Sequence, residues 1–224
     1  MTQLKVFEPR SVPVHAVDTH LAKLDPQALS VDGLRQRFAR TVPWTPEISV
    51  EKRFSDRDPT PASVLIPLVM RERVSVLLTT RTAHLSSHSG QVAFPGGKAD
   101  AEDDSAITTA LREAHEEIGL ESRHVQVLGT HPIYTTGSGF LITPVIALVR
   151  PEHVIVPNAD EVADVFEVPL DFLMDPANHR HHVHDWGGAT RHWLSIAYQD
   201  GPVERFIWGA TAGMLRNMYR FMRA

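Results

Sequence analysis

The spacing of apolar and polar positions divides the chain into a loosely patterned lead-in and a longer, strongly patterned remainder. Residues 1–20 show no period and read as irregular. "DPQALSVDGLRQRFAR" (25–40) places leucines and Phe38 at helical spacing, with Asp25-Pro26 as a start signal. Between 41 and 61, four prolines among alternating charges predict a linker or a surface-packed arm. Strand character begins with "SVLIPLVM" (63–70) and "RVSVLLTTR" (73–81), and the charged "RER" between them predicts a hairpin. "QVAF" (91–94) is a short strand entering the Pro95-Gly96-Gly97 turn, and a helix follows from about Ser105 to Ile118. "HVQVLGTHPIYTT" (124–136) and "FLITPVIALVR" (140–150) bracket a Gly-Ser-Gly turn as a second hairpin pair. "DVFEVPL" (164–170) is a further strand leading into a short helix, and "HHVHDW", "RHWLSIAY" and "ERFIW" form another sheet-like region. The terminal helix (209–222) carries Met214, Leu215, Met218, Tyr219 and Met222 as an apolar stripe, read as packed core or a dimer contact. This order predicts an α/β (α+β) layered fold, a sheet core flanked by helices, with a division into an arm (1–61) and a main domain (62–224).

The helix at 105–118 is the unusual element. Advancing roughly 100° per residue from Glu113 puts Glu117 near 40° and Glu116 near −60°, so three carboxylates share one face. Ile107, Ala110, Leu111, Ala114 and Ile118 fall in the adjoining sector, and Arg112 and His115 take the outer one. The wheel therefore places the acidic stripe beside the buried face. No Lys at i+4 relieves the like-charge repulsion, which costs about 0.2–0.5 kcal/mol per pair. Asp103, Asp104 or Ser105 can cap the start, and Gly119 supplies the left-handed residue just past the end. Upstream, Gly96 and Gly97 lack Cβ atoms, so the backbone can approach an ion or a phosphate closely. A Gly-Gly turn, an acidic loop and clustered carboxylates suit a hard cation with oxygen ligands, which points to Mg²⁺ or Mn²⁺.

Composition narrows the chemistry. The chain has no cysteine, which removes disulfides, thiolate nucleophiles and zinc–thiolate sites. A net charge of −5 without a local basic patch argues against a nucleic-acid partner. The longest apolar run, Val64–Met70, is broken by Pro67 and is too short to span a bilayer, so no membrane partner is expected. "MTQLKVFEPRSVP" lacks the apolar core of a signal peptide, and the expectation is a cytoplasmic protein with a small-molecule substrate. The histidines of "HRHHVHDW" alternate between strand faces (His182 and His184 on one, His181 on the other) and read as exposed polar positions.

"GGKADAEDDSAITTALREAHEEIGL" resembles the signature of the Nudix hydrolases, which cleave a nucleoside diphosphate linked to a further group. "REAHEEIGL" (112–120) fits the family core at every defined position, whereas Gly97-to-Arg112 is one residue longer than usual and Asp103-Asp104 replaces an upstream Glu. "LLTTRTAHLSSHSGQVAFPGG" (77–97) further resembles the coenzyme A diphosphatase branch, as does "IWGATAGML" (207–215). Two positions depart from that branch: Thr82 stands in place of Ser or Ala, and Ser86 in place of a second Arg.

The resemblance implies the Nudix fold, a mixed β-sheet core sandwiched between helices, and diphosphate hydrolysis with Glu113, Glu116 and Glu117 holding divalent ions. It makes Arg112 either an orienting partner of those carboxylates or an ordinary salt bridge. Arg81 is a phosphate clamp or a solvated strand-end cation, and His88 a phosphate contact. Glu161, on the loop before "DVFEVPL", is a candidate for holding the metal or the attacking water, with Glu116 or Glu117 as alternative bases. The implied products from coenzyme A are 3′,5′-ADP and 4′-phosphopantetheine. The rival readings are another nucleoside diphosphate derivative (a nucleotide sugar or dinucleotide polyphosphate) and a sensing module that binds without hydrolysis.

Overall fold

The computed structural model describes residues 8–55, 58–83, 90–186 and 189–224. Strand β1 (Ala16–Val17) and helix α1 (Val31–Ala39) belong to the lead-in. They are followed by β2 (Thr60–Val69), β3 (Ser75–Arg81), β4 (Val92–Ala93), β5 (Gly96–Lys98) and α2 (Ala106–Ile118). Strands β6 (Val125–Thr130), β7 (Tyr134–Thr135), β8 (Phe140–Val149) and β9 (Val162–Pro169) come next, then the short α3 (Leu170–Leu173). The chain ends with β10 (Arg180–Trp186), β11 (Ala189–Asp200), β12 (Val203–Trp208) and α4 (Gly209–Arg223).

The central sheet runs β4-β3-β2-β8-β6, with β5, β7 and β9 paired alongside. Its spine is the parallel pair β2–β8, in register from Thr60↔Phe140 to Val69↔Val149. Both strands are near-continuous apolar runs because both of their faces are covered. Leu65, Val69, Val145, Ala147 and Val149 pack under α2 with Ala110, Ala114 and Ile118. Ile66, Leu68, Ile146 and Leu148 face the opposite way, toward Met214, Leu215, Met218 and Tyr219 of α4. The expected mixed sheet between helices is what this alternation produces.

Two prolines in β2 fit because its outer edge changes partner. Ala62–Val64 pair with β5 and Leu68–Val69 with β3, while Leu65 N–H reaches Pro95 O at 2.9 Å. Alternation puts the nitrogen of Pro67 on the side of Leu65, in the gap between β5 and β3, where an N–H would lack a strand partner. The same change of partner corrects the simple hairpin expected for 63–81: β2 and β3 share only two register pairs. The main partner of β3 is β9, from Ser75↔Pro169 to Arg81↔Val162.

A second sheet, β1-β10-β11-β12, closes over α4, so every α4 residue from Thr211 to Tyr219 is buried. The methionine stripe is core. Two of the histidines in 179–186 depart from the expected exposed positions: His179, just before β10, and His182 within it are buried. His182 bonds Ser195 Oγ at 2.8 Å, and its Nδ1 lies 3.1 Å from the carbonyls of Val12 and Pro13. The lead-in is knitted to the domain by buried ions. Arg216 meets Asp18 and Glu47, each at 2.9 Å, and the Asn217 side chain bonds both the N–H and the C=O of Ile48.

His131 sits buried against Phe38, Trp44 and Phe221, with Nε2 lacking any partner among the described residues. Burial, helped by the charge of Arg37, pulls its pKa from 6.5 down to about 4. The unfolded chain then binds the extra proton between these values, so this contribution is fully present above pH 6.5 and is lost as pH falls toward 4. We predict that His131→Phe reduces the stability lost between pH 7 and 4 by about 3 kcal/mol relative to the parent. Urea unfolding across that range checks this, and parallel pH curves would exclude it.

Candidate active site

The site forms where α2 crosses the β4–β5 turn. Ser105 caps α2 through its side chain, which accepts from Thr108 N–H at 3.1 Å, and Gly119 ends it in the left-handed region at φ 68°. Gly96 and Gly97 pair with Val64 and Ser63, which brings their backbone directly under the helix. A Cβ on Gly96 would lie 2.6 Å from Val64 Cα, and one on Gly97 would lie 2.5 Å from the carboxyl carbon and Oε1 of Glu113. The absent Cβ of Gly97 is therefore the space that the Glu113 carboxylate fills.

Glu117 is 4% exposed, inside the buried face rather than beside it as the wheel implied. Its Oε2 accepts from Gly96 N–H at 3.0 Å, and Oε1 faces Arg81 Nη1 at 3.6 Å. Burial raises its pKa to about 7, opposed by the Gly96 N–H and Arg81 and reinforced by the charges of Glu113 and Glu161. Glu113 is raised as well, chiefly by burial, with Arg112 acting against the shift and Glu116 and Glu161 adding to it. Glu116 is exposed.

Arg112 gathers the acids. Its Nη1 donates to Glu113 Oε1 and Glu116 Oε2, each at 3.0 Å, and its Nη2 donates to Lys98 O at 3.0 Å. The guanidinium is held by a two-pronged bond to Asp103, Nε to Oδ1 at 3.1 Å and Nη2 to Oδ2 at 2.8 Å. Those bonds, with the Asp100 N–H, hold the Asp103 carboxyl well below the usual carboxylate range.

Among the described residues, no three acid or imidazole side chains converge into a ready-made metal cage. The carboxylates are instead turned onto Arg112, Arg81 and Gly96 N–H. The donor set still fits a hard cation chemically: three carboxylates from one helix, two of them half-buried or buried and mutually destabilising, beside a glycine carbonyl strand.

The sequence matches the family profile described as NUDIX domain over residues 59–187, more than half of the chain. It is 43% identical over 158 residues to the "Uncharacterized Nudix hydrolase NudL" of Enterobacter sp. (strain 638), spanning 70% of this chain and 80% of that protein. To the protein of the same description in Citrobacter koseri it is 38% identical over 196 residues, 87% of this chain and 96% of that one.

The chain belongs to the Nudix family.

It is a hydrolase acting on pyrophosphate bonds of small molecules, and its mixed α+β sheet is the family's architecture. Among solved structures it is similar to a Nudix hydrolase from M. smegmatis, RenU, at 25% identity and a TM-score of 0.43, covering 54% of this chain and 77% of that one. No helix of the described residues is long and apolar enough to cross a membrane.

In this Nudix hydrolase the structure brings Arg81, Gly96, Gly97, Arg112, Glu113, Glu116 and Glu117 together. Glu161 joins them electrostatically, its charge bearing on both Glu113 and Glu117, and its backbone carbonyl accepts from Thr82 N–H at 3.0 Å. The Nε of Arg81 is buried without an acceptor among the described residues, while its side chain as a whole stays partly exposed beside Glu117. His88 and Ser86 lie outside the described residues. The residue that sequence reading missed in this role is Asp103, which appeared there as a helix cap and as half of the pair replacing an upstream family Glu. Nothing in the spacing of Asp103 and Arg112 marks them as partners, because they meet across the loop and not along the helix.

Two outcomes follow from these contacts. Asp103→Asn should lower kcat by about 10–100-fold with little change in KM, the scale of losing an orienting partner of functional carboxylates. Steady-state kinetics alongside a thermal melt measure it, and unchanged kcat would make the Asp103–Arg112 pair a structural ion pair only. Gly97→Ala should displace Glu113 and lower activity by about 100-fold or more while the chain stays folded by circular dichroism.

Proposed function

We propose that this enzyme hydrolyses the diphosphate bond of coenzyme A or its thioesters, releasing 3′,5′-ADP and 4′-phosphopantetheine or its acyl form. The observation that carries the reading is the stretch from Leu77 to Gly97. It resembles the coenzyme A diphosphatase branch, and its two ends place Arg81 and the Gly96-Gly97 turn against Glu117.

Glu113, Glu116 and Glu117 are the residues that would hold Mg²⁺ or Mn²⁺. When bound, such an ion supplies charge neutralisation at the diphosphate and a water of lowered pKa. The chain's own residues supply the rest. Arg112, locked by Asp103, keeps Glu113 and Glu116 gathered on one guanidinium. Arg81, partly exposed beside Glu117, is the candidate to take a non-bridging phosphate oxygen, a planar guanidinium matching two such oxygens. The glycine turn lets the diphosphate approach the backbone without a side chain in the way. Glu161 is the candidate to accept the proton of the attacking water, with Glu116 and Glu117 as the alternatives.

Ser86, where the branch usually carries a second Arg, favours a second reading in which the substrate is another nucleoside diphosphate derivative. Product analysis after incubation with coenzyme A and Mg²⁺ or Mn²⁺ separates the two: the expected products are 3′,5′-ADP and phosphopantetheine. No turnover of coenzyme A, with turnover of a nucleotide sugar or dinucleotide polyphosphate, would establish the second. Glu116→Gln and Glu117→Gln should each abolish hydrolysis with the fold retained, and full activity in both would overturn the proposed metal site.

A further inference from the structure

The end of β3 holds two parts of the site at once. Arg81 turns its side chain toward Glu117 while its backbone bonds Gln91 and Gly90. Its neighbour Thr82 is buried and bonds the loop that carries Glu161. The Thr82 N–H donates to Glu161 O at 3.0 Å, and the Thr82 hydroxyl donates to Asp160 O at 3.1 Å. Consecutive carbonyls of a strand point to opposite edges, so the backbone of a partner strand meets only one of the two. The β3–β9 ladder has already slipped here, with Thr80 facing Asp164 and Arg81 facing Val162. Past the slip, the hydroxyl supplies the bond to Asp160 that the ladder does not.

The other end of the loop is tied to α2. Asn158 N–H donates to Glu117 O at 2.8 Å, and Val156 N–H donates to Ile118 O at 2.9 Å. Asn158 then folds the chain back. Its carbonyl accepts from Glu161 and Val162 N–H, at 3.0 and 2.8 Å, and its side-chain oxygen accepts from Asp160 N–H at 3.1 Å. Glu161 thus ends a closed turn, held on one side by the backbone of Glu117 and on the other by Thr82. From that position its charge bears on both Glu113 and Glu117. Val156 to Asp160 are exposed, so hydrogen bonds rather than apolar packing set the geometry of the turn.

We propose that Thr82 is a positioning residue of this hydrolase: its hydroxyl clamps the 158–161 turn and so keeps Glu161 beside Glu113 and Glu117. This role rests on Glu161 as the acceptor of the proton from the attacking water. Such a base must stay within hydrogen-bond reach of that water, and a misplacement of about 1 Å costs on the order of 100-fold in rate. Thr82 acts through the backbone of residues 160 and 161, without touching the substrate. Its β-branch restricts χ1, so the hydroxyl is aimed at one acceptor. Ser at this position would keep the donor; Ala or Val would remove it.

The test compares Thr82→Val, which keeps the shape of the side chain without its donor, with Thr82→Ser, which keeps the donor. Kinetics of the full chain use Mg²⁺ or Mn²⁺ with coenzyme A, or with whichever nucleotide sugar or dinucleotide polyphosphate the parent hydrolyses. Thr82→Val should lower kcat about tenfold with KM changed less than about twofold, and Thr82→Ser should recover most of that loss. Combined with Glu161→Gln, Thr82→Val should cost nothing further, because the group it positions is gone. Hydrogen exchange at the Glu161 and Val162 amides should be about tenfold faster in Thr82→Val than in the parent. Parental kcat or parental exchange in Thr82→Val, an equal loss in Thr82→Ser, or losses that multiply in the double variant would overturn the clamp and leave Glu161 as the base. Parental kcat in Glu161→Gln would instead remove Glu161 from the chemistry, and the positioning role with it.

Discussion

The close seating of α2 on the Gly96-Gly97 strand is the contact on which both fold and site depend. One buried bond closes it, Gly96 N–H to Glu117 at 3.0 Å, and the carboxylate of Glu113 occupies the space a Cβ on Gly97 would need. Apolar packing of Ala110, Ala114 and Ile118 on β2 and β8 supplies the force that holds the helix down. The same packing drags an acid into the interior, where it is destabilised in its charged form. The helix therefore cannot be docked without assembling the acidic site. Stability and chemistry share one interface.

That interface is braced from the far side by an ionic lock. Arg112 ties Glu113 and Glu116 to the Lys98 carbonyl and to Asp103, so the acids are oriented by the loop that joins β5 to α2. That loop, one residue longer than the family pattern, holds Asp103 by the Asp100 N–H at 2.9 Å as well as by Arg112. Arg81 completes the surround from β3, at the point where the β3–β9 register shifts between Thr80 and Arg81. Such irregularities re-aim side chains at the ends of strands. Here one turns a guanidinium toward Glu117.

The lead-in is less separable than its proline-rich composition implies. Asp18, Glu47 and Ile48 pair with Arg216 and Asn217 of the buried α4, and His182 closes on Val12 and Pro13. These are buried polar pairs, which are costly to break one partner at a time. The lead-in thus covers polar positions of α4 that the central sheet alone would leave unpaired.

The sequence by itself determined the elements and most of the candidate site. Strand alternation in 63–81 and 140–150, the cap and glycine stop of α2, and the spacing of Glu113, Glu116 and Glu117 are local features, fixed by 2.0- and 3.6-residue periods. Tertiary structure decided the pairings and the environments. It made β9 rather than β2 the main partner of β3, buried His179 and His182, and filled the methionine stripe into a helix covered on every side. It also placed Glu117 within the core and Asp103 on Arg112. A periodicity reports which side chains share a face; it carries no information about what that face will meet, because partner choice and desolvation arise from segments distant in the chain.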